Sequence, residues 1–240
     1  MQDSWGWTAD RECRRHRRAR PTIRGTGQRA WYCVPPERFA SSAAQVLLAL
    51  GFEQVDVLGF SMGGTVALQF VLDYPQMTRR LVIAGSGPGF VPDVPPGEVV
   101  DATRVWPIAT KPVNDDADFL YLFFENTTTS QAAGKAYLAR LNARRDAFTR
   151  QVGPDAWQAQ LRSAQAVGSA DRSLLPKLAS VRHPVLVANG RHDIMVPSFA
   201  SYAMAQRLPD ARLVIYPDSG HGFPFQHAEP FADEVLRFLR

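Results

Sequence analysis

From Pro35 onward, short, mostly apolar runs alternate with stretches in which apolar residues return every three or four positions. The runs Val55 to Leu58, Arg80 to Gly85, Pro184 to Asn189 and Arg212 to Tyr216 are too short for helices and are bounded by turn residues, which predicts buried strands. The periodic stretches predict helices. One opens at Pro36, carries Phe39, Ala43, Val46, Leu47 and Leu50 on one stripe and stops at Gly51. Others run from about Met62 to Asp73, where Tyr74-Pro75 ends the pattern, from Ser198 to Leu208, and from Pro230 with Phe231, Val235, Phe238 and Leu239 inward. Strand alternating with helix predicts an α/β fold, a mostly parallel sheet with helices on both faces.

Two regions depart from this rhythm. Residues 86–168 hold a Pro/Gly-rich connection and then only helical patterns, near 98–109, 115–125, 130–150 and 154–167. An all-helical stretch between strands of such a sheet reads as an inserted cap, which divides the chain into a core of 35–85 and 169–240 and a cap of 86–168. The cap's aromatic run Phe119, Tyr121, Phe123 and Phe124 suits either a pocket wall or the cap's own packing. Residues 1–34 show neither period. The first 33 contain no Leu or Val, three of the five tryptophans, both cysteines and eight arginines, and predict an irregular segment.

That segment explains the charge. Its arginines against Asp3, Asp10 and Glu12 give +5 within a chain total of +4, so the remainder is close to neutral and nucleic-acid binding is not expected of it. No apolar run is long enough to span a membrane and no secretory pattern opens the chain, which makes the cytoplasm the expected compartment. Cys13 and Cys33 are too few for a disulfide framework, and the Cys13/His16 pair lacks two further ligands for zinc. Oligomeric state leaves no mark on the sequence.

The chemistry concentrates after the strands. Gly59-Phe60-Ser61-Met62-Gly63 fits a G-x-S-x-G elbow, a turn so sharp that its serine takes a strained backbone conformation and projects above the sheet. Gly59 and Gly63 let that turn close, Gly64 lets the next helix approach the sheet, and the Met62 amide faces any oxyanion formed beside Ser61. A serine hydroxyl needs a base, and the base needs an orienting carboxylate. In a parallel sheet such groups meet at the C-terminal strand ends, which selects Asp193 and His221. His183 precedes a strand, His192 would have to turn away from Asp193, and His227 lies beyond the glycine-flanked His221. Asp218 also follows a strand, but Asp193 opens a loop of its own on the neighbouring strand.

With these motifs in place, the chain from about Pro35 to its C-terminus resembles the α/β-hydrolase-fold serine hydrolases. GFSMGG matches the elbow, GRHDIMVP the acid loop and SGHGFPFQ the histidine loop. The resemblance implies an acyl-enzyme at Ser61, hydrolysis of a small ester, lactone or activated ketone, a small-molecule substrate, and no metal or organic cofactor. It also implies a strand ending in His-Gly before the elbow, whose loop donates a second oxyanion-hole amide. No such strand is found. Arg24-Gly25-Thr26-Gly27 matches a later family turn only superficially. The expectation is therefore a sheet incomplete on its N-terminal side, an exposed apolar edge at Val55 to Leu58, and poor solubility or weak activity from a truncated or out-of-frame start. The alternative function is a catalytically impaired hydrolase-like protein whose basic N-terminal arm binds an anionic partner.

Overall fold

A computed structural model of the chain describes residues 35–144 and 153–240. The Arg-rich segment 1–34, with Cys13, Cys33 and the Arg24 turn, lies outside the described residues, as does the end of the helix expected over 130–150.

The four apolar runs form one parallel sheet: β1 (Val55–Phe60), β2 (Thr78–Ala84), β3 (Val185–Gly190) and β4 (Ala211–Tyr216), in the order β1-β2-β3-β4. Parallel neighbours cannot be joined by hairpins, so each connection crosses over a face of the sheet. Helices α1 (Pro36–Ala49) and α2 (Met62–Asp73) precede and follow β1. Between β2 and β3 lie α3 (Ala102–Ala109), α4 (Asp116–Phe123), α5 (Thr128–Ala143) and α6 (Pro154–Val167). The chain ends with α7 (Ser198–Arg207) after β3, and the short α8 (Phe223–Gln226) and α9 (Ala228–Leu239) after β4.

Residue alternation on the strands sorts the core into two layers. Leu81, Ile83, Val185 and Val187 pack with Leu68 and Val71 of α2 and Met204 of α7. On the opposite face Ala84, Ala188 and Tyr216 pack with Phe223, Phe231 and the Phe60 ring. Every residue of β3 is buried, as expected of an inner strand covered on both faces. β1 differs: it pairs with β2 only, no strand among the described residues takes its other edge, and Leu58 is 52% exposed. An apolar position left open in a strand invites association. Because Leu58 has little burial to lose, Leu58→Lys is expected to change unfolding free energy by less than about 0.5 kcal/mol. Leu186→Ala, at a fully buried position, should cost about 2–5 kcal/mol, both read by denaturant titration.

One helix face is rotated from expectation, and another is only half covered. In α1 the buried residues are Ala40 and Ala44, with Leu47 half-buried, whereas Ala43, Val46 and Leu50 face solvent. The two alanines let α1 close on Phe70 and Met77, a contact that larger side chains on the predicted stripe would hold apart. The helix stops as expected: Gly51 has φ +79°, its N–H donates to Leu48 O at 3.0 Å, and Phe52 N–H donates to Leu47 O at 3.0 Å. In α9, Phe231, Val235, Phe238 and Leu239 are only half-buried and Glu234 is the buried residue, paired with Arg212 and Arg237 at 2.8 Å each. This helix is the outermost layer, so its stripe meets solvent at its margins.

Helices α3, α4 and α5 each open on a side-chain cap. Asp101 accepts the Thr103 N–H, Asp115 and Asp118 form a reciprocal capping box, and Thr127 accepts the Ser130 N–H. Helices α4 and α5 meet at Gly134, where a Cβ would lie 2.6 Å from Leu120 Cδ2. None of the described helices is long and apolar enough to cross a membrane.

Candidate active site

The site is built at the C-terminal ends of β1, β3 and β4. Ser61 stands between β1 and α2 with φ 53° and ψ −127°, a conformation non-glycine residues rarely adopt and that costs about 1–3 kcal/mol. Its N–H donates to Ala84 O at 2.9 Å, tying the turn to the end of β2. A Cβ at Gly59 would sit 2.3 Å from Gly63 O, and one at Gly64 2.4 Å from Ser86 Cβ, so both positions need glycine for space. Gly63 does not: a Cβ there meets nothing within 4 Å. The expectation for Gly63 is corrected, since the turn needs its carbonyl close to Gly59 and not a bare Cα. Met62 is the first residue of α2, so its N–H belongs to the helix end where negative charge is favoured.

The structure brings Ser61, His221 and Asp193 together. His221 Nδ1 lies 2.7 Å from Asp193 Oδ2, and His221 Nε2 lies 2.9 Å from Ser61 Oγ. An ionised carboxylate only accepts hydrogen bonds, so Nδ1 carries the proton and Nε2 offers a lone pair to the Ser61 hydroxyl. Asp193 is aimed by its own loop, its Oδ1 accepting the N–H groups of Met195 and Val196 at 2.8 Å each. His221 and Asp193 are buried, and Ser61 is half-buried.

Rings surround the imidazole. Phe60 lies 4.9 Å and Phe123 5.1 Å from its centroid, and Phe225 touches both at 5.5 and 6.3 Å. Phe123 also stacks on Phe119, which stacks on Tyr137. Phe124, by contrast, is buried beside Gly134. The aromatic run therefore splits between the site and the helical packing. The packing roles of Phe60 and Phe225 were not read from the sequence although both residues lie within the motifs GFSMGG and SGHGFPFQ. A packing role gives no periodic signal at the last residue of a strand or in a helix of four residues.

Two backbone approaches hold the strand ends together. A Cβ at Gly190 would lie 2.1 Å from Gly220 O, so the acid and histidine loops touch at main-chain level. Gly85, with φ +52°, passes beside the His221 ring, where a Cβ would come 3.4 Å from Nδ1. The other candidates are engaged elsewhere. His192 Nδ1 pairs with Glu125 at 2.6 Å, His183 Nε2 donates to Pro75 O at 2.9 Å, and His227 Nε2 donates to Pro217 O at 3.2 Å. Asp218 takes hydroxyls from Thr127 and Thr129 and makes no bond to His221. No group of three or more His, Cys, Asp or Glu among the described residues is arranged to hold a metal ion.

A groove of about 540 Å³ lies along α5 and α8, lined by Tyr137, Arg140, Leu141, Arg144, Pro224 and Phe225. Its Phe225 wall is the ring that meets Phe60 beside Ser61. A second cleft, about 630 Å³ and lined by Gln69, Asp73, Lys177 and Arg182, lies at the opposite strand ends and contains none of the three residues.

Comparison with known proteins agrees with this architecture. Residues 25–228 match the alpha/beta hydrolase fold family. A 2-hydroxy-6-oxononadienedioate/2-hydroxy-6-oxononatrienedioate hydrolase of Klebsiella pneumoniae is 28% identical over 79% of the chain, which spans 64% of that relative's length. Its counterpart in Comamonas testosteroni is 26% identical over 83% of the chain and 68% of its own. Among solved structures, an alpha/beta hydrolase fold protein from Chitinophaga pinensis superposes with a TM-score of 0.76 at 30% identity, covering 86% of this chain and 72% of that one. A meta-cleavage product hydrolase from Pseudomonas fluorescens has the same fold, with a TM-score of 0.66 at 18% identity, 91% and 75% covered. The elbow, the strand-end loops and the match over most of its length place this chain in the α/β-hydrolase fold family.

Proposed function

We propose that the protein is a serine hydrolase that cleaves a small ester, lactone or activated ketone through an acyl-enzyme at Ser61. The observation that carries this reading is the continuous hydrogen-bond path from Asp193 through His221 to Ser61. In the proposed sequence Ser61 Oγ attacks the substrate carbonyl as His221 Nε2 takes its proton. The Met62 N–H stabilises the oxyanion, and Asp193 stabilises the imidazolium without itself accepting the proton. Collapse of the tetrahedral adduct expels the leaving group, which takes the proton back from His221. Water then enters by the same route, activated by His221, and releases the acid. Burial of the pair in an aromatic surround keeps the field between carboxylate and imidazolium strong.

The names of the Klebsiella and Comamonas relatives specify a 6-oxo group, that is, a ketone, which supports the activated-ketone branch alongside ester cleavage. The helices over 102–167 act as the cap, and the groove beside Phe225 receives the part of the substrate beyond the carbonyl. A screen of p-nitrophenyl esters of graded chain length, simple lactones and 6-oxo-dienoates tests the proposal. Burst release of nitrophenol equal to the enzyme concentration is expected, and absence of turnover on all three classes would refute it. Phe225→Ala should shift the preferred acyl chain to longer homologues by joining the groove to the space above Ser61. An unchanged chain-length profile would remove Phe225 from the substrate path.

A further inference from the structure

We infer that Asp218 is a positioning residue: with Gln226 it clamps the start of α5 to the loop bearing His221 and so sets the imidazole between Asp193 and Ser61. The inference rests on the triad reading above and assigns Asp218 a task different from that of a catalytic acid.

The loop from Pro217 to Gly222 is tied to the α4–α5 junction at three points. One carboxylate oxygen of Asp218 accepts the Thr127 hydroxyl at 2.6 Å, and the other accepts that of Thr129. Gln226 Nε2 donates to Asp218 O at 2.5 Å, its Oε1 accepts the Ser130 hydroxyl at 2.7 Å, and Ser130 Oγ accepts the Glu125 N–H at 3.0 Å. The Gly222 N–H donates to Phe123 O at 2.6 Å. A Cβ at Gly220 would come within 3.0 Å of that carbonyl oxygen, and one at Gly222 within 2.8 Å. Both neighbours of His221 therefore rest against a single carbonyl of the helical segment.

Asp218 itself is built for this place. Its φ of 50° lies in the left-handed region that Asp and Asn adopt more readily than other side-chain-bearing residues, and this turns the carboxylate toward α5. The hydroxyls of Thr127 and then Thr129 hold its carboxyl below the usual carboxylate range. A depressed folded-state value means that the stabilisation is present above the unfolded value and is lost only as pH falls through the depressed one, so the clamp is charged throughout the neutral range. Every oxygen on the carboxylate is committed to α5, which leaves His221 to Asp193. In reactions of this kind a displacement of about 1 Å can cost 100-fold in rate, so a tie that fixes the loop acts on rate more than on binding.

The test uses the full chain and three variants. Asp218→Gly suits the backbone angle and deletes both acceptors, Thr129→Val deletes one donor, and Asp218→Asn keeps the backbone preference and an acceptor. Asp218→Gly should lower kcat and the rate of fluorophosphonate labelling at Ser61 by about 10- to 100-fold with KM little changed. Thr129→Val should follow in the same direction more weakly, and Asp218→Asn should recover most of the loss. The downfield proton resonance of the His221 Nδ1–H bonded to Asp193 should shift or broaden in Asp218→Gly, a readout that needs no turnover. Unchanged labelling, or a loss that only tracks the unfolded fraction by circular dichroism while that resonance stays in place, would overturn the inference. Ser61-specific labelling that Asp218→Gly does not slow removes the clamp alone. Labelling that persists in both Ser61→Ala and His221→Ala removes the triad reading beneath it.

Discussion

Ser61→Ala is expected to lower turnover by about 10⁶-fold, His221→Ala by a similar factor and Asp193→Ala by about 10⁴-fold. The ordering follows from the geometry. Ser61 supplies the bond-forming oxygen, and without the lone pair on His221 Nε2, 2.9 Å away, that oxygen keeps its proton. Asp193 acts one step back: its loss leaves an imidazole that still reaches Ser61 but has lost the 2.7 Å bond that selects the reactive tautomer. The three effects should not add, because a serine without its base is scarcely better than no serine. A double variant Ser61→Ala/His221→Ala should therefore match the weaker single variant to within a small factor, measured as kcat on the best ester of the screen. Additive losses would mean that the residues do not work as one unit.

Gly190→Ala is expected to be the most damaging single methyl in the described core. The added Cβ would stand 2.1 Å from Gly220 O and 2.6 Å from Ser219 O, both main-chain atoms, so no side chain can rotate away to make room. Overpacking of this kind costs about 1–3 kcal/mol when neighbours can yield and more when they are backbone. Relief requires either β3 to move from its register with β4, where Gly190 faces Tyr216, or the loop between Tyr216 and His221 to lift. The second path carries His221 away from Ser61. Gly190→Ala should thus lose labelling at Ser61 and midpoint temperature together, whereas Gly63→Ala, at a position where an added Cβ meets nothing within 4 Å, should keep both. Equal tolerance at the two positions would contradict the close approach of the acid and histidine loops.

Much of this organisation is legible in the chain because it is local. A strand of five or six apolar residues, a glycine-bounded turn and a helix that follows can each be recognised within a dozen positions. Chemistry at strand ends then narrows the candidates to a few side chains. Ser61, Asp193 and His221 meet because β1, β3 and β4 run parallel in one sheet, with β2 between the first two, and so end on the same side of it.

What could not be read depends on contacts between distant segments. The rotation of α1 is set by Ala40 and Ala44 against Phe70 and Met77, a choice that periodicity alone cannot make between two adjacent stripes. The task of Asp218 is decided by Thr127, 91 positions earlier in the chain. Phe60, Phe123 and Phe225 come from three separate elements, the first two packing on the imidazole and Phe225 packing on both of those rings. Among the described residues no strand pairs with the outer edge of β1, where Leu58, an apolar residue in the strand leading to the elbow, is 52% exposed.

The most direct measurement is covalent labelling of the full chain with a fluorophosphonate, followed by peptide mass spectrometry. The account predicts one adduct per chain, located on Ser61, absent in Ser61→Ala and strongly slowed in His221→Ala. An unmodified chain, an adduct on another serine, or a Ser61 adduct that forms as fast without the imidazole would contradict it.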